Sequence, residues 1–301
     1  MTSPATKALF QYIQEKSPEL SAAYEEIYEE SGKLKALREF SIYPYLFCPD
    51  LGIDNEISLI LSQMYICLTL FFRIQDCAVD QPTRKNTRYL LFSNVLIGYL
   101  VNLLHRFPSE LDEIFERSLV EYSTSSSHEI ESHSFCRDSP VDSEILTFHD
   151  TTFLGKKFSP LKVPLAAALL HAGRGSLHTV DSLIDTYGIA LQLRNDLMDW
   201  EEDYRRGQMT YFLSEVITDS FPHEDTWPEV SNLKKAVLSS HAVLKMMTLE
   251  LQYTIEAATI AHDISNRFSA FFEEQVNHIK QDIQEMLTWK YHLPNTGLIT
   301  P

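Results

Sequence analysis

Glycine is scarce, with 9 in 301 residues, where average usage gives roughly 20. That scarcity argues against glycine-loop nucleotide sites and against barrels of tight hairpins. The only close pair is Gly173 and Gly175, with no third glycine to complete a dinucleotide fingerprint. Basic residues are also few: 25 Lys and Arg face 42 Asp and Glu, a formal charge of −17. Such a charge repels a phosphate backbone and no basic patch offsets it, so no nucleic acid is expected as a partner. An anionic membrane surface is disfavoured for the same reason. Cys48, Cys67, Cys77 and Cys136 are scattered without CxxC spacing, which reads as a reducing compartment rather than a disulfide framework. Met1-Thr2-Ser3-Pro4 has no basic-then-apolar signal pattern. The longest apolar stretch, Ile57 to Phe72, is interrupted by Ser62, Gln63 and Thr69 and is short for a membrane span. A buried helix, no stable membrane insertion and a cytoplasmic location are the expectations.

What the chain does contain is helical periodicity almost throughout. Helices are expected near 5–16, 18–37, 54–80, 86–106, 109–122, 144–152, 161–172, 176–206, 229–258 and 262–289. Asp54 is placed to cap the third of these, and Pro108-Ser109 marks a turn and a fresh helix start. The Ser-, His- and acid-rich stretch 123–143 reads as a loop or weak helix, and 218–229 as a loop. No alternating run is long enough for a sheet. The expected architecture is all-α: one domain over residues 1–301, a helix bundle with several helices beyond 20 residues. The 17 Phe and 14 Tyr are enough to line an apolar cavity, although packing is the ordinary use of such residues.

Two places join acids and cations in an unusual way. Asp76 and Asp80 lie one helical turn apart at the end of a very apolar helix, followed by Pro82, Arg84 and Lys85. Carboxylates there face the negative end of the helix dipole, which is unfavourable unless a cation compensates. A divalent metal is one such cation; Arg73, Arg84 or Lys85 is another. The second place is the stripe Asn195, Asp199 and Asp203 on a helix that starts apolar, trailed by Arg205 and Arg206. Hard oxygen donors on one face suit Mg²⁺, which keeps water and phosphate oxygens in its shell. The trailing arginines suit bidentate phosphate recognition. The plainer alternative is a solvated face laced by i, i+4 ion pairs.

At these residues the chain resembles the all-α trans-isoprenoid synthases: prenyl diphosphate synthases, squalene/phytoene synthases and class I terpene synthases. Asp76-Cys77-Ala78-Val79-Asp80 is similar to the first aspartate-rich motif, DDxxD, with Cys77 in place of an aspartate, and Pro82-x-Arg84-Lys85 resembles the basic pair behind it. With Arg73 ahead, the stretch is also similar to the R-x-x-D-x-x-x-D pattern of phytoene synthases. Gly188 through Gly207, with Gln192, Asn195, Asp199, Asp203 and Arg206, resembles their second motif without gaps; Asn195, Asp199 and Asp203 also fit the N-D-x-x-S-x-x-x-E motif of terpene synthases. Gly155-Lys156-Lys157 through Pro164, Ala172 and Gly173 resembles the lysine-bearing helix whose lysine contacts diphosphate in prenyl diphosphate synthases. The match spans roughly residues 60–215.

The resemblance implies an isoprenoid-synthase-type bundle with a central active-site cavity and several Mg²⁺ ions bound with a prenyl diphosphate. Asp76, Asp80, Asn195, Asp199 and Asp203 are then the metal ligands and catalytic set, while Arg84, Lys156, Lys157, Arg205 and Arg206 hold the diphosphate. A homodimer is compatible with it. Two departures bear on the reaction. Ser31-Gly32-Lys33-Leu34-Lys35 stands where a basic Gly-Gly-Lys-Arg segment for isopentenyl diphosphate is expected, and the tyrosine- and glycine-rich segment of squalene and phytoene synthases is missing. The leading expectation is therefore a class I terpene synthase, which ionises a prenyl diphosphate and steers the carbocation. The alternatives are a trans-prenyltransferase, head-to-tail or head-to-head, and a catalytically silent binding subunit. Phe71, Phe72, Tyr187, Phe268, Phe271 and Phe272 are candidates for the carbocation cavity, with core packing the plainer role. His128 and His133 are five apart, which does not fit the zinc-protease spacing, so a solvated loop is expected there. Cys77 reads as a core-filling thiol. Arg174 reads equally as a helix-end cation or a diphosphate sensor.

Overall fold

The structure, a computed structural model, describes residues 4–16, 18, 35–80, 83–142, 144–147, 151–222 and 224–292; of these, the side chains of 35–39, 80, 84–88 and 289–292 lie outside the description. Among the described residues there are twelve α-helices and no strand, only the isolated bridges Ser134–Gln208 and Pro140–Thr226. The helices are α1 (Pro4–Lys16), α2 (Lys35–Leu51), α3 (Asn55–Asp80), α4 (Arg84–Leu104), α5 (Glu110–Ser132), α6 (Thr152–Lys156), α7 (Lys162–Ala172), α8 (Leu177–Arg206), α9 (Tyr211–Ser220), α10 (Val230–Ser239), α11 (Ala242–His262) and α12 (Asn266–His292). The all-α expectation holds.

Local chemistry accounts for the boundaries the sequence marks well. The Ile57 N–H donates to Asp54 Oδ1 at 2.9 Å, so Asp54 does cap α3. Leu111 and Asp112 N–H donate to the Pro108 and Ser109 carbonyls, which starts α5. Gly173 ends α7 at φ 60°, its N–H on the Leu169 and Leu170 carbonyls, a left-handed closure that suits glycine.

Other boundaries differ from expectation. The expected helix 18–37 lies largely outside the described residues. Helix α2 holds Pro44 and Pro49 in its interior, a composition that argues against a helix when read locally. Helix α5 continues to Ser132, so 123–132 takes the helical one of its two expected forms. Residues 144–146 form a turn rather than helix, and α6 begins only at Thr152. Helix α9 starts on Thr210, whose hydroxyl accepts from Leu213 N–H. The expected helix 229–258 breaks at Ser240 and His241 into α10 and α11.

The chain groups into two compact units, each built from three separated stretches: 1–119, 160–181 and 261–268 in the first, and 120–159, 182–260 and 269–301 in the second. In the first, α3 packs against α1, α2, α4 and α7. Leu61, Met64, Tyr65, Ile66, Cys67, Leu68 and Leu70 are buried along α3. Over Asn55–Val79 this helix has the length and mean hydropathy (1.8) of a membrane-crossing segment, but 67% of its most apolar window is buried inside the protein. Tyr43, Tyr65, Phe47 and Phe268 form an edge-to-face cluster beside it. Lys162, fully buried at the start of α7, meets Asp181 at 3.5 Å, and Arg117 grips the same carboxylate. The second unit closes around Leu154, Ile189, Leu193, Tyr204, Phe212, Val216 and Trp227. That core holds the first half of α6 and the middle of α8 in place.

Candidate active site

In the second unit, α5 and α6 converge on one face of α8. Helix α5 presents Glu121, Ser125 and Glu129 at four-residue spacing, one face of a helix. Short α6 lies against α8 because both contact residues are glycine. A Cβ on Gly155 meets the Asp185 carbonyl oxygen at 2.2 Å, and one on Gly188 meets the Gly155 carbonyl oxygen at 2.7 Å. The Ser125 hydroxyl donates to the Phe153 carbonyl and ties α5 to α6. Two consecutive lysines at the end of α6 then face carboxylates. Lys156 Nζ donates to Asp185 Oδ2 at 2.6 Å and Glu121 Oε1 at 3.3 Å, while Ser159 Oγ donates to the other Glu121 oxygen at 2.6 Å. Lys157 Nζ donates to Glu129 Oε2 at 2.6 Å, both side chains 18% exposed.

On α8 the inward row differs from the expected one. Asn195 and Asp199 are exposed and Asp203 is half-buried. Asp196, their neighbour, is 2% exposed. Gln192 Nε2 donates to Asp196 Oδ1 at 2.8 Å, but the buried Oδ2 receives no hydrogen bond. Burial pushes the Asp196 carboxyl up to about 7; the Gln192 hydrogen bond and Lys157 oppose this, and Glu129 and Asp203 add to it. Gln192, Asp196 and Asp203 are spaced four and seven apart, a single helical face. That spacing was the sequence signal for Asp196.

The end of α8 is firmly anchored. Phe135 N–H donates to the Gly207 carbonyl and Met209 N–H to the His133 carbonyl, both at 2.7 Å. Tyr204 OH donates to the Pro228 carbonyl at 2.6 Å. Arg194 grips Glu250 of α11 through Nε at 2.6 Å. His133 is 5% exposed and stacks on Phe153, with its Nδ1 3.5 Å from the Ile145 carbonyl oxygen. The solvated loop expected at 128–133 is thus a helix end whose last histidine is buried, and burial holds that imidazole's pKa below its ordinary value. Arg205 and Arg206 pair with Glu201 and Glu202 one turn back, the i, i+4 pattern of the plainer reading. With Met198 and Asp199 they line an open depression of about 580 Å³.

In the first unit, Asp76 is exposed and Cys77 half-buried near the end of α3. The side chains of Asp80 and Arg84 lie outside the described residues. Arg174 is exposed and reaches the Asp50 carbonyl at 3.5 Å, a helix-end contact. Tyr187, Phe268 and Phe272 are buried, while Phe71, Phe72 and Phe271 are half-buried. Tyr187 meets Phe272 edge-on at 4.8 Å, a packing contact.

Among the described residues, no three His, Cys, Asp or Glu side chains gather as a metal-holding group. The donors on α8 nevertheless fit a hard cation: Asp196 offers a buried carboxylate oxygen that receives no hydrogen bond, and Asp203 lies within electrostatic reach.

No family model matches the chain, and no curated protein sequence matches it. Solved structures do. A decaprenyl diphosphate synthase from Rhodobacter capsulatus superposes with TM-score 0.73 at 12% identity, over 93% of this chain and 95% of that one. A geranylgeranyl pyrophosphate synthetase from the archaeon Geoglobus acetivorans gives 0.69 at 17%, over 91% and 97%. A polyprenyl synthase from Caulobacter crescentus, complexed with calcium and isoprenyl diphosphate, gives 0.70 at 15%, over 91% and 92%. The chain has the all-α fold of these prenyl synthases.

Proposed function

We propose that the protein is a divalent-metal-dependent trans-prenyltransferase that joins prenyl diphosphates, rather than the terpene synthase expected from its motifs. The observation that carries this is the inner face of α8. Asp196 and Asp203 share that face with the Lys157–Glu129 pair, in a fold that matches prenyl diphosphate synthases over 91–93% of the chain. Coverage of 93% of this chain and 95% of that one supports reading residues 1–301 as one domain.

Asp76 and Asp80 from the first motif, with Asn195, Asp196, Asp199 and Asp203 from α8, are the residues we assign to Mg²⁺. A cation bound there supplies Lewis-acid neutralisation of the departing diphosphate. The chain's own part is positioning and charge. Lys157, Arg84, Arg205 and Arg206 donate to phosphate oxygens as the allylic C–O bond breaks. Lys156, held by two carboxylates, orients α6 for that contact. A homodimer and a cytoplasmic location belong to the same reading. Burial of most of the apolar window of α3 favours no stable membrane insertion.

The test is product identification. The protein is incubated with geranyl, farnesyl and geranylgeranyl diphosphates in Mg²⁺, with and without isopentenyl diphosphate. Longer diphosphates that need isopentenyl diphosphate are expected. A hydrocarbon or alcohol from one substrate alone returns the terpene synthase reading, and no Mg²⁺-dependent turnover leaves a binding subunit.

A further inference from the structure

Among the described residues of the second unit, two carboxylates are buried, Glu250 and Asp196, and their partners differ in kind. Glu250 on α11 is 5% exposed and meets the Arg194 guanidinium at 2.6 Å, a buried charge set against its opposite. Asp196 on α8 is 2% exposed, and its hydrogen bond comes from a neutral group: Gln192 Nε2 donates to Oδ1 at 2.8 Å. Oδ2 is buried too and receives none. Gln192 is itself buried, one turn back on the same face of α8.

A buried carboxylate with one oxygen left over serves the fold poorly. An apolar side chain of similar volume costs less in such a place, because the desolvated charge goes unmatched. The amide does something other than neutralise. By holding Oδ1 it fixes the rotation of the carboxylate about its Cβ–Cγ bond, so Oδ2 keeps one direction. An amide suits that task because it brings no charge. A lysine or arginine at position 192 would bind Asp196 more strongly and cancel the charge that attracts a cation.

We infer that Gln192 is a positioning residue, which acts through Asp196 by holding that carboxylate with Oδ2 reserved for the divalent cation. The inference rests on the assignment of Asp196 to the cation in the proposed function. It adds to the site a residue that touches neither cation nor diphosphate. Groups that hydrogen-bond a metal-ligating carboxylate set its affinity for the metal by roughly 10–100-fold, and they do so only while the carboxylate is there to be oriented.

Mn²⁺ is titrated into the full-length protein without any diphosphate, and binding is followed by electron paramagnetic resonance. Gln192→Leu removes the amide at similar volume and is expected to weaken Mn²⁺ binding about tenfold. Asp196→Asn is expected to weaken it about tenfold or more. The double variant is expected to bind Mn²⁺ within about twofold of Asp196→Asn alone, since Gln192 then has no carboxylate to orient. A residue that only supports the fold gives a different pattern: lower stability in urea with Mn²⁺ affinity unchanged, or losses that add in the double variant. Circular dichroism checks each fold; if Gln192→Leu melts, Gln192→Met replaces it. Unchanged Mn²⁺ binding by the Gln192 variant overturns the inference, as do additive losses or a parent protein that binds no Mn²⁺ at millimolar concentration. The expected Mn²⁺ pattern in a protein that converts no prenyl diphosphate leaves the positioning role standing and removes the proposed function. Prenyl transfer with Mn²⁺ binding untouched by Gln192→Leu does the reverse.

Discussion

Asp76 near the end of α3 and Asp196 within α8 come from the same kind of sequence, an acid at the edge of an apolar run, and finish in opposite surroundings. Asp76 is exposed. Asp196 is 2% exposed, and its carboxyl responds to Glu129 from α5 and Lys157 from just beyond α6. What makes the second place a structured niche is the approach of two other segments, which the Gly155–Gly188 contact permits. An acid stripe on one helix is only a set of donors; the counter-charges around it decide how tightly and in what order it takes a cation.

The comparison breaks most directly at the ligands. Asp203→Ala is expected to lower turnover roughly 10²–10³-fold with circular dichroism unchanged, because a ligand for the leaving-group charge is lost. Asp76→Ala is expected to cost similar turnover with circular dichroism unchanged. Intact turnover in either variant removes that residue from the ligand set.

Gly188→Ala tests whether close approach makes the difference. The new methyl meets the Gly155 carbonyl oxygen, so α6 must move off α8, with a loss of roughly 1–3 kcal/mol in urea unfolding. Weaker pyrophosphate binding should accompany it. A variant as stable as the parent means the contact does not hold the site.

Asp196 carries a pH signature of its burial. Its carboxyl sits near 7 when folded and near 4 when unfolded. Between these values the folded chain keeps a proton that the unfolded chain loses, so this group lowers stability as pH rises from about 4 to 7, with the full cost present above 7. Asp196→Asn removes the slope and stabilises the metal-free protein by about 1–3 kcal/mol at pH 8. Chemical unfolding at pH 5 and pH 8 in a chelator measures it; parallel curves for parent and variant count against a buried carboxyl.

The smallest effect is expected at the surface. Arg205→Ala removes an exposed i, i+4 pair with Glu201 and should change stability by no more than about 0.5 kcal/mol. A large drop in pyrophosphate affinity at normal stability sharpens its assignment as a phosphate contact.

Legibility followed the range of the forces involved. Capping at Asp54, the restart after Pro108 and the closure at Gly173 are short-range chemistry, and all three were readable. Helix α2 was hidden because Pro44 and Pro49 weigh against a helix locally, while burial of Tyr43, Phe47 and Cys48 in the first unit outweighs that cost. The last turns of α5 read as loop or weak helix because of their serine, histidine and glutamate, and the helix is settled where Ser125, Glu129 and His133 find partners around α6. On α8 the spacing marked Asn195, Asp199 and Asp203 as one stripe, while burial of their neighbour Asp196 depends on what packs against that side of the helix, which periodicity does not encode.

By itself, then, the sequence determined the all-α class, the long apolar helices, the acidic segments and their trailing cations, because these depend on composition and on contacts within a turn or two of helix. Tertiary structure alone decided which carboxylate is buried, which lysine shares its niche, and that Glu121, Glu129 and Asp185 belong to the site. Those outcomes depend on desolvation and on charges brought together from α5, α6 and α8, distances that no single segment encodes.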